Sequence, residues 1–152
     1  MTKARTALIH ENPFFGVLAL QLNLVESETE SAGTMAVDGH TIFWSPTFVK
    51  SIKPVEVKGV VAHEIMHCVF DHTTRRGARD IKKWRYATDY AINPVQKEAG
   101  FKLPEPHLDD PKFRGKTADE IYDLLEDSNM PGDTFVCALQ DSPDKSEAAT
   151  SE

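Results

Sequence analysis

A chain of 152 residues, 40% hydrophobic and 27% charged, suffices for one domain with a buried core, and it contains no apolar run long enough to span a membrane. Its formal charge of −7 is concentrated near the C-terminus: from Glu126 onward seven acids face the single base Lys145, which leaves the preceding body near −1. Such a body offers no basic face for nucleic acid, two cysteines cannot form a disulfide framework, and no signal-peptide pattern follows Met1; a cytoplasmic protein without nucleic-acid or membrane partners is expected.

Residues 2–12 predict a short helix with Ala4, Leu8 and Ile9 as its apolar positions, interrupted at Asn12-Pro13. Residues 14–25 are strongly apolar and alternate towards their end, as a strand or as a helix running into a strand. After a polar loop, residues 34–37 and 41–44 flank Asp38-Gly39-His40, a strong hairpin signal. Ser45 caps a short helix beginning at Pro46, which Lys53-Pro54 breaks. A second helix is predicted over 55–73, closed by Arg75-Arg76-Gly77. Asp80 caps a third, with Ile81, Trp84, Ala87, Ala91 and Ile92 apolar; Pro94 should interrupt it, with a continuation to Gly100. Residues 101–115 read as a wrapped, proline-rich loop. Thr117 and Glu120 form a capping box for a helix over 116–125. Residues 1–128 are expected to form the domain and 129–152 an acidic, disordered tail.

The second helix carries His63-Glu64-Ile65-Met66-His67. Histidines four apart lie about one helical turn apart on one face and can give two nitrogen ligands to a single zinc ion. Glu64 follows the first ligand and can act as general base towards a zinc-activated water. The surrounding Val60, Val61, Ile65, Met66, Cys68 and Val69 predict a largely buried helix, in which two histidines and a glutamate need partners. The bland alternative is a core helix with two hydrogen-bonded histidines. Cys68 projects away from the ligand face and reads as a small core residue.

A catalytic zinc site needs a third protein ligand. His72 would point about 180° away on a straight helix, and no glycine lies between it and His67 to turn the chain back. Asp89, among apolar residues of the third helix, is the better candidate, with Asn93 one turn on to orient it; the alternative pairs Asp89 with Arg75, Arg76 or Arg79. Tyr86 and His40 are candidates to assist an oxyanion, and each is more often a residue with no such role. Trp84 and Trp44 read as core.

The hairpin at 34–44, the run Val61 to His67, His72 with Arg75-Arg76, Trp84 with Asp89 to Pro94, Glu98 to Pro104 and residues 116–125 together resemble the metallopeptidase domain of bacterial and phage metal-dependent peptidases. In many members that domain precedes a von Willebrand factor A-like domain. The resemblance implies an α+β, zincin-like fold: a small antiparallel or mixed sheet whose hairpin packs on the active-site helix, followed by a ligand-bearing helix. It implies a zinc-dependent peptidase with one zinc ion per chain on His63, His67 and Asp89, and Glu64 as the catalytic base. An extended peptide or protein substrate would pair with strand 41–44 or its hairpin partner. No von Willebrand-like domain follows here, so a stand-alone or shortened version is expected, with a partner protein supplying that function. Two other functions fit the same residues: an inactive, metal-stabilised protein-binding module, and a zinc hydrolase of a non-peptide substrate.

Overall fold

The computed structural model describes residues 1–140; the acidic stretch 141–152 lies outside the described residues. Two short helices open the chain, α1 (Thr2–Glu11) and α2 (Pro13–Leu20), meeting at Asn12 because Pro13 starts the second. The apolar run then turns into strand β1 (Asn23–Glu26), so it is a helix followed by a strand. Strands β2 (Met35–Val37) and β3 (Thr41–Trp44) form the expected antiparallel hairpin. Asp38 Oδ1 accepts from the backbone N–H groups of His40 and Thr41, both at 2.8 Å, while Gly39 takes the left-handed position with φ 99°.

Helix α3 (Pro46–Ser51) is capped by the Ser45 hydroxyl, which accepts from Phe48 N at 3.0 Å. Helix α4 (Pro54–Val69) follows, and its residues 59–67 are all buried. The helix predicted to reach Thr73 stops at Val69: Asp71 adopts φ 56°, ψ 38°, and a separate turn of helix, α5 (His72–Arg75), restarts beyond it. Helix α6 (Ile81–Glu98), capped by Asp80, runs unbroken through Pro94. The expected interruption is absent because residues on both sides of the proline, Ile92, Asn93 and Gln96, are drawn into the interior, and that burial outweighs one lost backbone hydrogen bond. Helix α7 (Ala118–Leu124) shows both arms of the Thr117–Glu120 capping box.

The chain ends its described course in strand β4 (Ala138–Leu139), which gives a mixed four-stranded sheet of order β1-β3-β2-β4. β1 pairs parallel with β3 and β4 parallel with β2. Residues 129–140, expected within a disordered tail, are therefore packed, with Cys137, Ala138 and Leu139 buried. The reason is the short apolar run Phe135 to Leu139, which lies between polar segments and supplies enough buried surface to dock. β3 is internal, so it presents no free edge.

The fold is a mixed α+β one with seven α-helices and one small sheet among the described residues. Helix α4 is central: α1, α2, α5, α6 and β2 all pack on it. Where it meets residues 101–104 the approach is closest, since a Cβ on Gly59 would fall 1.9 Å from the Lys102 carbonyl oxygen. Among the described residues, no helix is long and apolar enough to cross a membrane.

Candidate metal centre

Helix α4 turns His63 and His67 to one side, and their Nε2 atoms lie 3.0 Å apart, with both rings fully buried. Helix α6 brings Asp89 opposite: its Oδ1 is 3.0 Å from His63 Nε2 and 3.2 Å from His67 Nε2. From the last described segment, Cys137 places Sγ 2.8 Å from His67 Nε2 and 3.4 Å from Asp89 Oδ1. These four donor atoms all lie within 4.8 Å of one another.

The donor set fits a divalent cation. A tetrahedral ion with bonds of about 2.0–2.3 Å keeps its ligand atoms roughly 3.3–3.8 Å apart, close to the spacing found. The tautomers fit as well. His63 Nδ1 lies 2.9 Å from Gln96 Oε1, whose amide is oriented by Nε2 donating to the Gly59 carbonyl at 3.4 Å. A carbonyl oxygen only accepts, so Nδ1 carries the proton and the neutral ring turns the Nε2 lone pair to the centre. His67 Nδ1 meets His72 Nδ1 at 3.0 Å, and a proton on the former likewise frees its Nε2. His72 is itself fixed: its carbonyl accepts from Trp84 Nε1 at 2.8 Å, and its ring stacks on Phe70. Two lone pairs converging with a carboxylate and a sulfur, all away from water, are unfavourable without a shared cation.

Electrostatics follow from burial. Burial pushes His72 down to about 2, with His67 and Arg75 adding to it, so the ring stays neutral and able to accept. Burial also lowers His67, to about 4, with Asp89 opposing. Burial alone would raise Asp89, but His63 and His67 more than offset it and hold the carboxyl well below its ordinary value. The Cys137 thiol is pushed well above its usual range, by burial first and then by Asp89 and Glu64. A cation inverts that balance and favours the thiolate.

Glu64 stands apart from the ligand cluster. It is fully buried, and neither carboxylate oxygen has a hydrogen-bond partner. Burial, and then the Asp89 charge, raise its pKa well above the ordinary value, and the neighbouring Cys137 thiol opposes them.

Residues 1–151 match the family described as "Putative metallopeptidase domain". The chain belongs to that family. Comparison with curated proteins and comparison with solved structures each gave no match.

Of the residues singled out in the sequence, His63, His67 and Asp89 converge, with Glu64 beside them. Of the arginines considered as its partners, Arg75 and Arg79 reach Asp119. His72 is in the site but behind His67, brought round by the break at Asp71, a left-handed residue where a glycine was thought necessary. Asn93 does not orient Asp89: its Nδ2 donates to the Leu108 carbonyl at 2.9 Å, and its Oδ1 is unpartnered. Tyr86 donates to the Pro131 carbonyl at 2.8 Å, and His40 sits in the wall of a separate cleft with Leu18, Gln21 and Cys68. Sequence reasoning missed two participants. Gln96 lies seven residues after Asp89, two helical turns along the same face, a spacing that could have pointed to it. Cys137 lies 70 residues beyond His67, with no spacing rule to connect them.

Proposed function

We propose that this protein is a zinc-dependent peptidase of zincin-like fold, acting in the cytoplasm on peptide or protein substrates. His63, His67 and Asp89 hold one zinc ion, and Glu64 is the general base. Two imidazoles and a carboxylate, with a thiolate beside them, suit zinc over harder divalent ions. A zinc ion there supplies Lewis acidity for a scissile carbonyl and lowers the pKa of a water molecule.

The observation that carries the reading is Glu64. A fully buried carboxylate without partners destabilises the fold, and the ligand cluster does not need it. It makes sense as a base kept clear of competing hydrogen bonds: it takes the proton of the attacking water and passes it to the departing amine nitrogen. Its raised pKa matches the second half of that task. Gln96 and His72 hold the two imidazoles in the tautomers that aim Nε2 inward. Beside the centre, β2 lies between β3 and β4, so a peptide would pair with it only in place of β4.

Glu64→Gln is expected to keep one zinc per chain and to lose hydrolysis of an unstructured polypeptide by at least about a hundredfold, the lower range for a general base. Unchanged turnover would discard the mechanism. A second reading has one observation in its favour: four protein donors surround the centre, as in a structural site, which fits a metal-stabilised binding module. In that case Glu64→Gln alters nothing, because there is no hydrolysis to lose.

A further inference from the structure

We infer that residues 129–140 are a displaceable strap that holds the site shut, with Cys137 filling the fourth ligand place and β4 filling the sheet edge on which an extended peptide would lie. The inference rests on the peptidase reading above and adds to it a latent state built into the chain.

Three observations converge. The first is access. His63, Glu64, His67, Asp89 and Cys137 are each 0% exposed, so no substrate carbonyl reaches the centre in this arrangement. The second is the edge. Without β4, β2 would be an outer strand beside α4; with it, Ala36 and Val37 pair with Ala138 and Leu139, and Val37 O accepts from Gln140 N at 2.9 Å. The strap therefore occupies the backbone groups that would bind a peptide. The third is Glu64 again. A permanent four-ligand site has no use for a buried, unpartnered carboxylate next to it, whereas a temporarily closed catalytic site does.

The strap is held by the burial of Cys137, Ala138 and Leu139, by the Gln140 side-chain amide donating to the Glu30 carbonyl, and by further local attachments. Tyr86 donates to the Pro131 carbonyl and Tyr90 to that of Asn129. Phe135 N donates to the Pro106 carbonyl at 2.7 Å, and the Phe135 ring stacks on Phe48 and lies edge-on to His63. Pro131, Gly132 and Asp133 are exposed and form the outer bend. Opening requires that Cys137 give up its ligand place to water, take a proton from solvent and leave as a neutral thiol, while β4 unpairs, Leu139 leaves the core and the Phe135 contacts break. Release of Pro131 would also free the Tyr86 hydroxyl.

The test uses the full chain carrying Cys68→Ser, so that Cys137 is its only thiol, loaded with cobalt(II) for spectra and zinc for assays. The strap predicts a near-ultraviolet thiolate-to-cobalt absorption that Cys137→Ala abolishes while one metal per chain remains. It also predicts a thiol that reacts slowly with an aromatic disulfide reagent, and faster in Tyr90→Phe, which loosens the strap without touching the donors. Hydrolysis of an unstructured peptide should rise about tenfold or more in Cys137→Ala, as for a site open less than about a tenth of the time. If the metal-loaded thiol reacts freely and the absorption is missing, the strap is wrong, while hydrolysis abolished by Glu64→Gln would leave the peptidase reading standing. If the absorption is present and hydrolysis is measurable but neither Cys137→Ala nor Tyr90→Phe raises it or the thiol's reactivity, Cys137 is a fixed ligand and the strap is overturned. If the folded, metal-loaded variants hydrolyse nothing, the peptidase reading falls and the strap with it.

Discussion

Glu64 and Asp89 are both buried carboxylates near one point, yet their surroundings drive them in opposite directions. Asp89 is paired to two imidazoles and stays ionised, whereas Glu64 has no partner and is driven towards its protonated form. In the peptidase reading proposed above, the first would hold charge and the second would move a proton. The histidines depend in turn on their outer nitrogens. His72→Ala should weaken zinc binding about 10–100-fold, since it removes the acceptor that fixes His67. Competition against a chromophoric chelator measures this, and an unchanged affinity would show that His72 does not orient the ligand. At this scale the His63, Glu64 and His67 pattern was legible because a fixed helical spacing encodes it. Asp89 was legible because a lone acid in an apolar stripe needs an explanation. Cys137 was not, because a strand from a distant segment delivers it and no local period marks it.

At the scale of elements, two predicted helix boundaries moved for tertiary reasons. The helix expected to run to Thr73 breaks at Asp71, and that break lets His72 return to His67. Local propensity gave no glycine to mark the turn, and an aspartate accepts the left-handed conformation at modest cost. Pro94 was expected to stop α6 and does not, because Ile92, Asn93 and Gln96 must all face inward. The capping boxes and the Asp-Gly turn were readable because each is complete within a few residues. The packing of α4 on residues 101–104 is a feature sequence could not mark: Gly59 leaves room for the Lys102 carbonyl. Gly59→Ala would force backbone apart and cost about 1–3 kcal/mol or more, lowering Tm by about 2–4 °C for each kcal/mol. Calorimetry on the metal-free protein checks this; an unchanged Tm would mean that the contact yields freely.

For the molecule as a whole, composition placed the charge near the C-terminus, but it hid the packing of residues 129–140. Residues 129–140 carry the sheet's last strand and the fourth donor, and the acids around them hid a five-residue apolar run. The mixed sheet order, with β1 and β4 each pairing in parallel, rests on contacts between distant segments that no short motif specifies. What unites these parts is a centre of two imidazoles, a carboxylate and a thiol, brought together by α4, α6 and residues 129–140, with Glu64 held beside it. The most direct measurement is an anomalous-scattering map of zinc-grown crystals of the full chain. One zinc peak within about 2.0–2.3 Å of His63 Nε2, His67 Nε2 and an Asp89 oxygen is the predicted result. A map with no peak between the two imidazoles, or with His63 and His67 turned into different surroundings, would contradict the account.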